Sequence, residues 1–309
     1  MRVAQDSHSV KCLQFFLVLY GMNLISMSLF SQQTRYWYTL FPAIIANLEM
    51  YPGFRVRLHI TTEARQHPAT TLLDALADAL PRLEVYEYSE PYTDQEPTFW
   101  RMRPLWDANV DAFFPRDVDS VPYASELKAV RLFLDHPSAA IHSVRSYHLH
   151  TTLLMAGLCG FKTRMLDEFR GYVPDYETYV ALYHQHTKSN PNFTWGCDQE
   201  ALRTLFSPLR HKILDCPIGN CAPQNPQVGV MSAAKEALEV VGLDDLNADM
   251  LEICREITEV PWGDFKGFAG RPHGDFRPYF QRMLALPLET CQIAKDVFAK
   301  HPTLKEFYA

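Results

Sequence analysis

Two aspartates, Asp117 and Asp119, follow the run Val110-Asp-Ala-Phe-Phe-Pro-Arg116 and precede Ser120. In an extended chain alternate residues point to one side, so both carboxylates would leave the end of such a strand together. Two anionic oxygen groups suit a hard divalent cation, and a cation held this way suits phosphate. In an open α/β sheet the C-terminal edge is where ligands bind. Asp and Ser after a strand are also ordinary turn residues, so the same segment reads equally as a plain turn.

Other candidates lie on both sides of this pair. Arg101 and Arg103 precede it and suit a phosphate or a solvated helix face, while Arg116 abuts the carboxylates and can balance their charge. Arg145, His148 and His150 end the next apolar segment and suit hydrogen bonds to hydroxyl groups. Gly157 and Gly160 permit a close approach of backbone to a ligand, or a simple turn. Asp198 precedes a helical pattern as a candidate N-cap, a role worth about 1 kcal/mol. The stretch from Trp262 to Asp275 carries four glycines with Lys266, Arg271 and His273, and reads as a mobile loop or hairpin. Trp100, Trp106, Tyr172, Tyr176, Trp195 and Trp262 could stack on a ligand's faces or fill cores.

The elements that must hold these residues alternate in type. An apolar run at 12–20 reads as the first buried strand, and 36–51 as a helix, with a start at Pro42 also open and an end at Pro52-Gly53. Alternating 54–60 reads as a strand, 68–80 as a helix, 83–88 as a strand and 98–107 as a short helix. The aspartate strand follows, then a helix at 125–134 and a strand at 139–144. Residues 176–186 fit helix or strand; 198–206, 232–241, 247–259 and the segment from 279 read as helices. Strands alternating with helices imply a mainly parallel α/β sheet covered on both faces. No Gly-x-Gly-x-x-Gly or Walker motif is present, which argues against a dinucleotide dehydrogenase or a P-loop enzyme.

The 309 residues, 47% apolar and 21% charged, are those of an ordinary globular protein. A formal charge of −7 argues against a nucleic-acid partner bound by backbone neutralisation. Seven scattered cysteines form no Cys-x-x-Cys and favour reduced, buried thiols in a cytoplasmic setting. Gln14, Asn23, Ser26 and Ser28 interrupt the apolar N-terminal stretch, so no stable membrane insertion is expected.

The order of these segments resembles glycosyltransferases of the GT-A fold. The shared pattern is Arg116-Asp-Val-Asp-Ser120, Glu126-Leu-Lys-Ala-Val130 in a helix, a strand His142-Ser-Val-Arg145, Gly157-Leu-Cys-Gly160, and a later Asp198-Gln. It covers about residues 11–225, expected as the nucleotide-sugar-binding and catalytic domain, with 226–309 as C-terminal helices and an active-site loop packed on it. The resemblance implies a Rossmann-like mixed sheet, a UDP- or GDP-sugar donor, a metal, and a glycan or glycosylated acceptor. It implies Asp119 as direct metal ligand and Asp117 on ribose or metal-bound water. His273 is the implied third ligand, with His211 as a rival. Arg103, Arg145, His150, Gly157 and Lys266 would line the donor, and Asp198 would be the base of an inverting reaction. The sequence does not specify the sugar, the linkage or the oligomeric state. A sugar-phosphate nucleotidyltransferase or a non-catalytic sugar-binding protein of the same fold are the alternatives. The missing stem and signal suggest a soluble bacterial or viral enzyme.

Overall fold

A computed structural model describes residues 21–89, 92, 96–145, 153–188, 197–217, 231–233, 235–259, 261–262, 265–266 and 277–308. Strand β1, Met22–Leu29, lies third from one edge of an eight-stranded sheet formed by the described residues. The expected strand at 12–20 lies outside the described residues, and β1 is the segment whose serines appeared only to interrupt an apolar run. Alternation explains it. Ile25, Met27 and Leu29 enter the main core, while Ser26 and Ser28 face the other side of the sheet.

Strands β2 (Arg55–Thr61) and β3 (Leu83–Tyr88) extend the sheet in parallel from one side of β1. The chain then returns to place β4, Val110–Arg116, parallel on the other side of β1. The order continues with β6 (Cys159–Lys162), β5 (Ile141–Arg145), β7 (Ile213–Pro217) and β8 (Met231–Ser232). Among the described residues of this sheet, only β6 runs antiparallel to its neighbours. The C-terminal ends of β1, β2, β3, β4, β5 and β7 therefore share one edge. The direction of strand addition reverses between β1 and β4, the place where open α/β sheets bind ligands.

Helix α1 (Thr34–Met50) begins well before Pro42, which sits inside it. After Pro52, Gly53 takes φ +83, a left-handed conformation natural only to glycine. Helices α2 (Thr70–Ala79) and α3 (Ala124–Asp135) cover the same sheet face. The opposite face of the sheet is covered by the 3₁₀ segment Glu96–Trp106, then α4 (Asp167–Tyr172), α5 (Tyr176–Lys188) and α6 (Cys197–Leu205). Residues 176–188 thus form a helix, and Tyr176, Tyr179 and Tyr183 bury one face of it at spacings of three and four.

The expected helix at 232–241 is instead the end of β8 followed by a shorter helix, α7 (Lys235–Glu239). Helices α8 (Ala248–Glu259), α9 (Arg277–Leu284) and α10 (Glu289–Ala299) form the helical C-terminal part. Phe280 and Phe298 meet edge to face, and Phe298 meets Phe41 of α1 in the same way, so this part packs on the main core. Among the described residues no helix is long and apolar enough to cross a membrane. Cys159, Cys216, Cys254 and Cys291 are free and buried.

His142 on β5 lies fully buried, stacked on Phe133 of α3 at 5.1 Å between ring centroids. Neither ring nitrogen has a hydrogen-bond partner among the described residues. Burial, aided by the nearby Arg116 charge, holds its pKa well below the usual 6.5. The unfolded chain therefore binds a proton near pH 6.5 that the folded state refuses, so folding stability falls as pH drops below that value. His142→Phe should remove about 1.4 kcal/mol per pH unit of that acid slope, read from urea unfolding at several pH values below 6.5. An unchanged slope would show that His142 titrates normally in the fold.

Candidate functional site

The segment after β4 turns at once. The Ser120 N–H donates to the Asp117 carbonyl at 3.2 Å. The pair of aspartates is therefore carried on a turn and not on an extended strand end, which corrects the geometry expected from alternation. Val118, 6% exposed, supplies the reason, because it enters the main core together with Val121. With the residue between them anchored inside, Asp117 and Asp119 are both left partly exposed. The turn sits at the end of β4, beside β1, at the reversal point of the sheet.

Arg116, the last residue of β4, points into the protein. Its Nε donates to Glu126 Oε1 of α3 at 2.6 Å, and its Nη1 donates to the carbonyls of Pro115 and Cys159 at 2.6 and 2.8 Å. The Tyr51 hydroxyl donates to the same Glu126 oxygen at 2.9 Å. Burial works to lower the pKa of Arg116, but the Glu126 carboxylate and its neighbours outweigh it and hold the guanidinium charged. Arg116 thus ties the start of the aspartate turn to α3 and to β6.

Arg101, in the 3₁₀ segment, links two distant parts of the chain. Its Nη1 donates to Asp117 Oδ1 at 2.6 Å and its Nη2 to Asp198 Oδ2 at 2.5 Å. The arginine side chain is 8% exposed, Asp117 34% and Asp198 16%. Burial opposes the charge on Arg101, but the two carboxylates together raise its pKa. Asp198 lies in the first turn of α6, which begins at Cys197, so it is inside the helix and not its N-cap. An acidic side chain there is still favoured by the helix dipole, and its Oδ1 accepts the Gln199 N–H at 2.9 Å. Tyr179 of α5 is fully buried, and its hydroxyl has no hydrogen-bond partner among the described residues. Burial first, and then the Asp198 charge, push that phenol well above 10.

Gly157 closes the other side of Asp117. A Cβ on Gly157 would sit 2.6 Å from Asp117 Oδ2. One on Gly160 would sit 2.4 Å from the Phe114 ring, so this glycine serves the packing of β6 over β4.

The remaining candidates separate. Arg103 packs its guanidinium over Tyr88 and Tyr176, 4.5 and 4.0 Å from the ring centroids. Arg145 is interior. Its Nε and Nη2 donate to the two Asp215 oxygens of β7 at 2.9 and 2.6 Å. His211 is exposed in the 3₁₀ segment Ser207–Lys212, which leads into the N-terminal end of β7, whereas the aspartate turn follows the C-terminal end of β4. Lys266 stands in the short strand Phe265–Lys266, paired with Pro261–Trp262. His148, His150, Trp195, Arg271 and His273 lie outside the described residues.

Among the described residues no group of three or more His, Cys, Asp or Glu could hold a metal alone. A carboxylate pair on a turn instead fits a cation that brings its own phosphate ligands. Mg2+-type sites commonly use one or two carboxylates plus substrate phosphate oxygens and water.

The solved structures similar to this chain include glycosyltransferases. GlyE from Streptococcus pneumoniae TIGR4, in its apo form, is 12% identical with a TM-score of 0.45, covering 91% of this chain and 64% of its own. A mannosyltransferase, PcManGT from Pyrobaculum calidifontis in complex with GDP-Man and Mn2+, is 13% identical with a TM-score of 0.42, covering 92% and 76%. S. aureus TarS 1-349 in complex with UDP is 11% identical with a TM-score of 0.40, covering 92% and 73%. The chain thus spans about two thirds of the length of GlyE. No family model and no curated protein matches it.

Proposed function

We propose that this chain is a metal-dependent glycosyltransferase of GT-A type. It moves a sugar from a UDP- or GDP-sugar to a hydroxyl of a glycan or glycosylated acceptor, with Mn2+ or Mg2+. One observation supports this most. The Asp117–Ser120 turn stands where the sheet reverses, and Arg101 joins it directly to Asp198, 81 residues further along the chain.

When bound, the cation would neutralise the leaving diphosphate as a Lewis acid. Asp119 would hold the metal, and Asp117, between Arg101 and Gly157, would orient the ribose or a water on that metal. The bond from the anomeric carbon to the diphosphate oxygen breaks as the bond to the acceptor oxygen forms, through an oxocarbenium-like transition state. In an inverting reaction Asp198 accepts the acceptor's hydroxyl proton, which requires hydrogen-bond reach. In a retaining reaction it positions sugar or acceptor. His273 as third ligand, and Arg103, His150, Gly157 and Lys266 along the donor, belong to the same proposal. Arg145, ion-paired with Asp215, belongs to the donor-lining group of the same proposal.

The test is a melting-temperature screen of nucleotide sugars with and without Mn2+, followed by product analysis for the best donor. A ligand that binds only the folded state at 100 times its Kd stabilises by about 2.7 kcal/mol, enough to raise Tm by a few degrees. A Mn2+-dependent rise with one UDP- or GDP-sugar and release of the nucleoside diphosphate is the expected result. Pyrophosphate release would identify a nucleotidyltransferase instead, and no shift with any donor would rule the proposal out.

A further inference from the structure

We infer that Arg101 is a positioning residue that couples the donor-side and acceptor-side carboxylates, so that cation capture at the Asp117–Ser120 turn depends on the charge of Asp198. The inference rests on the metal-donor reading of Asp119 given above.

Three observations carry it. One planar guanidinium, 8% exposed, donates separate N–H groups to Asp117 and Asp198, at 2.6 and 2.5 Å. A buried arginine cannot turn to water to replace a lost partner, so each carboxylate affects how firmly the other is held. The opposite side of Asp117 is closed by Gly157, where even a methyl group would stand 2.6 Å from Oδ2. Asp117 is thus flanked by the Arg101 guanidinium on one oxygen and by the Gly157 backbone on the other, while the side chain stays 34% exposed to a cation arriving from solvent. Finally, the carboxylates come from separate elements, the β4 turn and α6, and Arg101 comes from a third. Arg101 is the side chain that bridges them directly.

The consequence has a sign. A cation at the turn repels Arg101 and favours its contact with Asp198. Removing the Asp198 charge leaves Arg101 committed to Asp117, which opposes the cation. Asp198→Asn should thus weaken Mn2+ binding although Asp198 ligates no metal in this scheme, and Arg101→Gln should strengthen it. A general loss of negative charge would also weaken binding, so the double variant is decisive. With Arg101 removed, the effect of Asp198→Asn should nearly vanish.

The experiment counts free Mn2+ by its electron paramagnetic resonance signal, in the presence of UDP and, separately, GDP. It compares wild type, Asp198→Asn, Arg101→Gln and the double variant. We expect Asp198→Asn to weaken Mn2+ binding about tenfold in the wild-type background and less than about twofold in the Arg101→Gln background. Should Arg101→Gln fail to fold by circular dichroism, Asp117→Asn cuts the same link from the other end. Asp198→Asn should then lose its effect on Mn2+ held by Asp119. Equal effects in both backgrounds, or no effect in either, overturn the coupling while the proposed function stands. Absence of Mn2+ binding by the wild type with either nucleotide overturns the metal reading and this inference with it.

Discussion

Asp119→Ala is expected to lower the rate of sugar transfer by about 10³-fold or more, with little change in folding. A ligand to a cation that neutralises a leaving diphosphate acts most strongly in the transition state, where that charge is greatest. A thousandfold loss corresponds to about 4 kcal/mol, within what a metal-borne charge stabilisation supplies. Folding should be spared because Asp119 is a partly exposed turn residue whose neighbour Val118 anchors the segment. The measurement is nucleoside diphosphate release at saturating donor across a Mn2+ series, with Tm recorded beside it. The metal-dependent rise in Tm on donor binding should vanish in the same variant. A rate within a few-fold of wild type would place the metal elsewhere. Asp117→Ala differs in kind, since it also deprives the buried Arg101 of one partner.

The second large effect lies beneath the site. Glu126→Ala should destabilise the fold by about 3–5 kcal/mol, because it leaves the buried Arg116 charge without its carboxylate and removes the acceptor of the Tyr51 hydroxyl. With total stabilities of about 5–15 kcal/mol, that is a large fraction for one side chain. Urea unfolding of Glu126→Ala beside the pair Arg116→Met with Glu126→Leu measures it. The double apolar replacement should recover much of the loss in stability, since a buried ion pair is expensive to break and not to replace. It should not recover donor binding, because the start of the aspartate turn would lose its tie to α3 and to the Cys159 carbonyl. A Glu126→Ala midpoint close to wild type would show that Arg116 finds another partner.

Arg116 and Glu126 also show how the motif becomes legible. Both belonged to the pattern that resembled GT-A enzymes, yet as sequence they were an arginine beside two aspartates and an acid on a helix. Their pairing across the sheet–helix interface spans ten residues of chain and shows why this pattern holds together. Arg101 was harder to place. It stood beside Arg103 as one of two cations in an aromatic-rich segment, and nothing in their spacing separates them. The fold sends Arg103 onto two tyrosine rings and Arg101 between two carboxylates. Arg145 shows the reverse, since a cation at a strand's end looks ready for ligand. Its partner Asp215 stands on β7, a strand that local patterning did not mark.

The sequence by itself determined the alternation of strands and helices from α1 through β5, because apolar periods of two and about 3.6 residues are local properties. It also placed two aspartates after a buried strand. Only the tertiary structure decided that they lie on a turn and that β1 is the serine-bearing segment. It alone joined Asp198 to Asp117 through Arg101. Those outcomes follow from long-range packing and charge pairing between residues far apart in the chain, which no local pattern encodes.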